Sequence, residues 1–152
     1  MTTLLRTDSE NSDFRSLVTE LDRELAAING NTNDFYKQFN KIDLIKNVVV
    51  AFHNGRAAGC GAIKEYDSTT VEIKRMYVSP VMRRRGIASE VLNALETWAV
   101  ELGYQRCVLE TGLTMSSAVG LYTKSGYVSI PNYGQYENAA GSICFEKICS
   151  DR

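Results

Sequence analysis

Residues 79–95 read SPVMRRRGIASEVLNAL. Arg83, Arg84 and Arg85 run into Gly86, and a helical pattern begins at once, with Ile87, Val91, Leu95, Trp98 and Leu102 on one face. The first N–H groups of a helix lack internal partners and carry the positive end of its dipole. Gly86 admits a ligand to the backbone with no Cβ in the way, and Ala88 keeps the first turn narrow. With cationic side chains beside it, such a turn suits an anion, a pyrophosphate above all. An arginine can reach a further phosphate. Basic corners at helix starts are also commonly just solvated, so the rest of the chain has to decide.

The charge is local. The 152 residues hold 17 Lys+Arg against 18 Asp+Glu, a formal net charge of −1. A nucleic-acid-binding face needs a wider basic excess, so neither a nucleic-acid nor a membrane partner is expected. The spacing is neither G-x-x-x-x-G-K-S/T nor G-x-G-x-x-G. His53 is the only histidine and stands beside the Asn54-Gly55 turn, so it reads as a surface residue and offers no His-activated nucleophile. Cys60, Cys107, Cys144 and Cys149 include no CxxC pair. No metal site is expected; free thiols in a reducing cytoplasm are. No N-terminal apolar core of a signal peptide and no run of about 20 apolar residues is present, which also points to the cytoplasm.

The elements that must position these residues follow from periodicity. Phe14, Leu17, Val18, Leu21, Leu25 and Ile28 predict a helix over 12–28, capped by Ser12. A second, shorter helix is expected over 34–41. Strands are expected over 45–53 and 56–64, joined by Asn54-Gly55 in a type I′ turn with φ > 0 at both residues. A third strand is expected over 71–78, a helix over roughly 86–102 ended by Gly103, and a strand over 106–111. A short helix with Ser caps (116–126) and strands at 127–130 and 142–148 complete the order ααβββαβαββ. This is an α/β (α+β) fold with a mixed central sheet and helices on both faces, in a single domain of 1–152.

Arg83-x-x-Gly86-x-Ala88 matches the Q/R-x-x-G-x-G/A motif of the GNAT acetyltransferase superfamily, and it stands where that family has it, between a strand and a long helix. AVGLYTKSGY (118–127) resembles the family's later A-x-x-L-Y-x-x-x-G-F/Y motif. The similarity covers roughly residues 45–148. It implies acetyl-CoA as donor, with no metal. It also implies direct transfer of the acetyl group to a primary amine of a small molecule or peptide. Met76, Tyr77 and Val78 would follow the pantetheine arm, and Arg83, Arg84, Arg85, Gly86, Ile87, Ala88 and Ser89 would hold the pyrophosphate. Tyr122 matches the tyrosine near the thioester sulfur, a general acid; its other reading is a packed core aromatic. Glu72 matches the glutamate that serves some members as base; Glu110 or water alone are the alternatives. Tyr133 and Tyr136 would line an acceptor pocket or pack between the last strands. Many members have Asn where this chain has Met115, so that polar contact is either missing here or supplied by Ser116 or Ser117. A non-catalytic acyl-CoA-binding sensor is the competing function. A homodimer through an exposed edge strand stays open.

Overall fold

The structure is a computed structural model that describes residues 1–30, 45–113 and 115–150. The expected helix over 34–41 lies outside them. The described elements are β1 (Thr2–Thr7), α1 (Ser12–Asn29), β2 (Asn47–His53), β3 (Arg56–Asp67), β4 (Thr70–Val78), α2 (Ile87–Glu101), β5 (Arg106–Gly112), α3 (Ser116–Lys124), β6 (Val128–Ile130) and β7 (Ser142–Ile148). Among the described residues no helix is long and apolar enough to cross a membrane.

The chain forms two compact units, to both of which β4 and α2 contribute. The first comprises Met1–Lys64 and Lys74–Leu95. In it β1 pairs antiparallel with β2, and β2 with β3. Asn54 (φ 50°) and Gly55 (φ 84°) close the β2–β3 hairpin, as a type I′ turn requires. Phe14, Leu17, Val18 and Leu21 of α1 pack on Val48, Val50, Cys60, Ala62 and Tyr77. Each such buried apolar side chain contributes about 1.5–3 kcal/mol. Ile28, placed on the same stripe by its spacing, is 46% exposed. The N-cap is Asn11, not Ser12: its side chain accepts from the Phe14 N–H at 2.9 Å. Asn caps as well as Ser, so periodicity alone left the start uncertain by one residue.

β1 was not foreseen. Its residues are half-buried or exposed throughout, so no alternation of apolar and polar residues marks it. Its ladder runs from Thr2 opposite His53 to Thr7 opposite Val48. His53 is accordingly a half-buried strand end, with Nδ1 at 3.2 Å from Thr2 Oγ1.

The second unit comprises Glu65–Ile73 and Glu96–Arg152. Thr70–Glu72 of β4 pair in parallel with Arg106–Val108 of β5. β5 pairs antiparallel with β7, and β7 with β6. The hydrogen-bonded order is β1-β2-β3-β4-β5-β7-β6, a mixed sheet as expected. β3 extends to Asp67, so only Ser68 and Thr69 turn the chain where a longer turn was expected. Leu102 follows the end of α2 and is 48% exposed instead of lining its apolar face. α3 starts from Met115 with no side-chain cap, so the expected Ser caps are not used.

Candidate functional site

The arginine loop belongs to the first unit. A 3-10 turn, Pro80–Met82, follows β4, and Ser79 N–H donates to Ala58 O at 2.9 Å. Arg84 (φ 66°) and Gly86 (φ 77°) are both left-handed. Such residues curl a loop and gather successive N–H groups on its concave side. α2 then begins, with Glu90 N–H on Gly86 O at 3.1 Å. In a helix starting there, the N–H groups of Ile87, Ala88 and Ser89 have no intrahelical acceptor. A Cβ at Gly86 would meet nothing within 4 Å, so its conformation, not crowding, calls for glycine.

Arg83 braces this loop. Its Nε donates to Val78 O at 2.9 Å and its Nη2 to both Glu24 oxygens, at 3.0 and 3.2 Å. Its guanidinium also stands 5.7 Å from the Tyr77 ring centre. Arg84 and Arg85 are exposed. The arginines therefore divide: the first is engaged by the protein, and the other two face solvent beside the helix start. The Tyr77 side chain is buried in the α1 core, with its hydroxyl 3.4 Å from Glu20. Burial pushes its pKa up, helped by the Glu20 and Glu24 charges and opposed by Arg83.

Two glycines bring β3 close to these residues. A Cβ at Gly59 would lie 2.8 Å from Tyr77 O, 3.1 Å from Val78 Cγ2 and 3.2 Å from Ile87 Cγ2. One at Gly61 would lie 2.5 Å from Met76 Sδ and 2.8 Å from Leu95 Cδ1. Glycines inside a strand pattern are a legible sign of close approach, but what approaches is not legible. Arg75 gave no sign at all. It is left-handed (φ 59°) within β4 and 6% exposed, and it pairs with Asp22. A residue in that conformation breaks the strand's alternation, as a β-bulge does. Its Nε is buried without a hydrogen-bond partner.

The acid–base candidates belong to the second unit. Tyr122, in α3, is 6% exposed. Its ring lies 5.8 Å from that of Tyr127 and 6.2 Å from that of Phe145. Burial, then the charge of Glu110, hold its hydroxyl above the usual tyrosine range. Glu72 is 8% exposed and accepts the Tyr133 hydroxyl at 2.6 Å. Glu110 accepts the Ser142 hydroxyl at 2.6 Å. Asn132 Nδ2 donates to Ala139 O and Ser142 O, at 3.2 and 3.1 Å, and ties down the loop that carries Tyr133 and Tyr136. Tyr133 stacks edge-on with Tyr66 and Tyr136, at 5.2 and 5.9 Å. Tyr133, Tyr136, Glu72 and Glu110 therefore form hydroxyl–carboxylate and aromatic contacts that spacing alone could not pair.

Residues 10–127 match the model of the acetyltransferase (GNAT) family, more than half of the chain. The chain belongs to that family. It is 33% identical over 100 residues to an IAA acetyltransferase of Azospirillum brasilense, covering 65% of each chain. It is 35% identical over 99 residues to an uncharacterized N-acetyltransferase of Bacillus subtilis, over 64% of this chain and 66% of that one. The chain thus spans about two-thirds, 65% and 66%, of the length of these curated relatives. Among solved structures it superposes on an acyl-CoA N-acyltransferase from Klebsiella pneumoniae with a TM-score of 0.82 at 24% identity, over 99% of both chains. PaiA N-acetyltransferase from Thermoplasma acidophilum, solved with coenzyme A, gives 0.72 at 17% identity over 97% of this chain and 99% of that one. These likenesses establish the GNAT fold for this chain.

Proposed function

We propose that this GNAT chain is an N-acetyltransferase that moves an acetyl group from acetyl-CoA to a primary amine of a small molecule or peptide by direct attack. One observation carries the reading: a left-handed, uncrowded Gly86 (φ 77°) at the start of α2, behind a loop braced by Arg83. A helix start with free N–H groups and two exposed arginines fits a pyrophosphate. The relatives named as acetyltransferases and the neighbour solved with coenzyme A support the choice of donor. The family match runs through residues of both units, which supports a single domain over 1–152. Four free cysteines support a reducing compartment, the cytoplasm.

The N–H groups of Gly86 to Ser89 would hold the pyrophosphate, with Arg84 and Arg85 adding charge and Arg83 keeping the loop in shape. The Tyr77 side chain is committed to the core, so Met76, Tyr77 and Val78 would offer backbone groups to the pantetheine arm. Acetyl-CoA supplies an acetyl group activated as a thioester. Tyr122 carries the proton that the departing thiolate needs. Its raised pKa keeps that proton in place through neutral pH. Glu72 accepts the proton that the amine gives up, because an alkylammonium of pKa about 10 is no nucleophile. Tyr133 fixes one oxygen of that carboxylate. Glu110, or water, is the substitute base.

Isothermal titration with acetyl-CoA tests the proposal. Micromolar binding, lost in Gly86→Glu and weakened in Arg84→Ala, is the expected result, followed by thiol release with an amine acceptor. No binding at millimolar acetyl-CoA overturns it.

A further inference from the structure

Cys107 and Cys149 lie outside the residues assigned to acetyl transfer. Cys107 is buried in β5, opposite Lys147 of β7. Cys149 follows β7 directly, and its N–H donates to Gln105 O at 2.8 Å. Gln105 stands two residues before Cys107, so the two cysteines are diagonal neighbours on one face of the β5–β7 pair. Their sulfurs are 3.1 Å apart, within hydrogen-bond distance. Both are reduced. Cys60, by comparison, is fully buried and gives its thiol to Arg75 O at 3.4 Å.

The two partners are unequal. Cys149 is half-buried and open to a small solute, whereas Cys107 is 0% exposed. The hydrogen bond with Cys107 lowers the pKa of the Cys149 thiol, with help from the Lys147 ammonium, against burial and the Glu96 charge. The same bond and burial raise that of Cys107. Lys147 itself is held by Glu96 at 2.8 Å, and Glu96 also accepts the Tyr127 hydroxyl at 2.9 Å. A reachable sulfur inclined to the thiolate therefore sits against a protected thiol, the arrangement of an attacking and a resolving cysteine.

We propose that Cys107 and Cys149 form a redox modification site, a dithiol that a hydroperoxide converts to an intramolecular disulfide. The Cys149 thiolate attacks the O–O bond of the hydroperoxide. That bond breaks, an S–O bond forms, and the alkoxide (hydroxide, for hydrogen peroxide) leaves with a proton. Cys149 is now a sulfenic acid. The Cys107 sulfur attacks the Cys149 sulfur; the S–O bond breaks, and hydroxide leaves as water with the Cys107 thiol proton. Two thiols and one hydroperoxide become one disulfide, one alcohol (or water) and one water. The sulfurs must close by about 1 Å to bond. Cys149 lies beyond the last pair of the β5–β7 ladder, Arg106 with Ile148, so this movement breaks no ladder pair.

The full chain, treated with hydrogen peroxide near neutral pH and read by intact mass, tests this. The expected result is loss of two hydrogens, reversed by dithiothreitol, with a fall from four titratable thiols to two and a digest fragment joining Cys107 to Cys149. Cys149→Ser must abolish the loss, and Cys60→Ser must keep it. The oxidised chain should also melt several degrees higher without reductant, because the closed loop restricts the unfolded chain. Retention of all four thiols while free cysteine in the same tube is consumed overturns the proposal. So does oxygen addition without cross-linking, or a link to Cys60, to Cys144 or between chains.

Discussion

The Tyr133 hydroxyl donates to Glu72 Oε2 at 2.6 Å. This ties the loop after β6 to a carboxylate of β4, across 61 positions of sequence. Tyr66 and Tyr136 hold the Tyr133 ring edge-on from its neighbours, so packing rather than chance places the hydroxyl. If Glu72 is the base, Glu72→Gln lowers kcat about 10²-fold and leaves acetyl-CoA binding unchanged, as general-base losses run. Tyr133→Phe, which removes this hydrogen bond but keeps the carboxylate, lowers kcat only several-fold. Steady-state rates across pH check both. An unaltered Glu72→Gln profile would transfer the role to Glu110 or water.

Tyr122→Phe removes the proposed acid and nothing of the cofactor loop. Burial and the Glu110 charge raise the Tyr122 pKa above its ordinary value of 10.0. The proton is therefore present at every pH below about 10, and the loss in kcat should be a constant factor across that range. A factor of roughly 10–10² is expected, with KM for acetyl-CoA little changed. A rate equal to that of the parent would leave Tyr122 as a packing residue.

At Gly86 conformation and ligand approach separate. The φ of 77° costs a side-chain-bearing residue about 1–2 kcal/mol, although the space around it is empty. Gly86→Asn, which tolerates that region, should melt closer to the parent than Gly86→Ala does. Both should weaken acetyl-CoA binding, and Gly86→Glu should abolish it by placing a carboxylate where anionic phosphates bind. Calorimetry and titration on the same three variants read the two effects apart.

Gly59→Ala strikes the same region from β3. The added methyl would stand 2.8 Å from the backbone oxygen of Tyr77, which cannot move without moving β4. Overpacking of this kind costs about 2 kcal/mol. Thermal unfolding should drop by roughly 4–8 °C.

Burial holds Tyr122, Tyr127, Tyr133 and Tyr136 in their neutral forms above the ordinary pKa of 10.0. A raised folded pKa gives stability that is complete below the unfolded value and is lost as pH rises past it. Above pH 10 the unfolded chain releases these protons while the folded chain keeps them. Stability should be flat with respect to these groups up to about pH 9 and then fall by about 1.4 kcal/mol per pH unit per tyrosine. Denaturant titrations between pH 8 and 11 would show the break, and Tyr127→Phe should soften it.

Much of the fold was legible in the residues because its signals are local. The Asn54-Gly55 hairpin needs two positive φ values and has them, 50° and 84°. The apolar spacings of α1 and α2 mark their buried faces, apart from Ile28 and Leu102 at the ends. The glycine at the helix start was legible for the same reason, since Gly86 and the turn it serves are neighbours in the chain. β1 was not legible, because an edge strand with few buried side chains leaves no alternation to read.

By itself the sequence determined turn types, helix faces, the charge concentrated before α2 and the two motifs that mark the family. These depend on residues within a few positions of one another, where backbone sterics and helical or strand periodicity act. The tertiary structure alone decided that Arg83 braces the loop through Glu24, that Arg75 sits left-handed and buried against Asp22, that Tyr133 holds Glu72, and that Cys149 meets Cys107. Each joins positions 42 to 61 residues apart. Strand register and helix packing set such distances, and both emerge only when the whole sheet has formed.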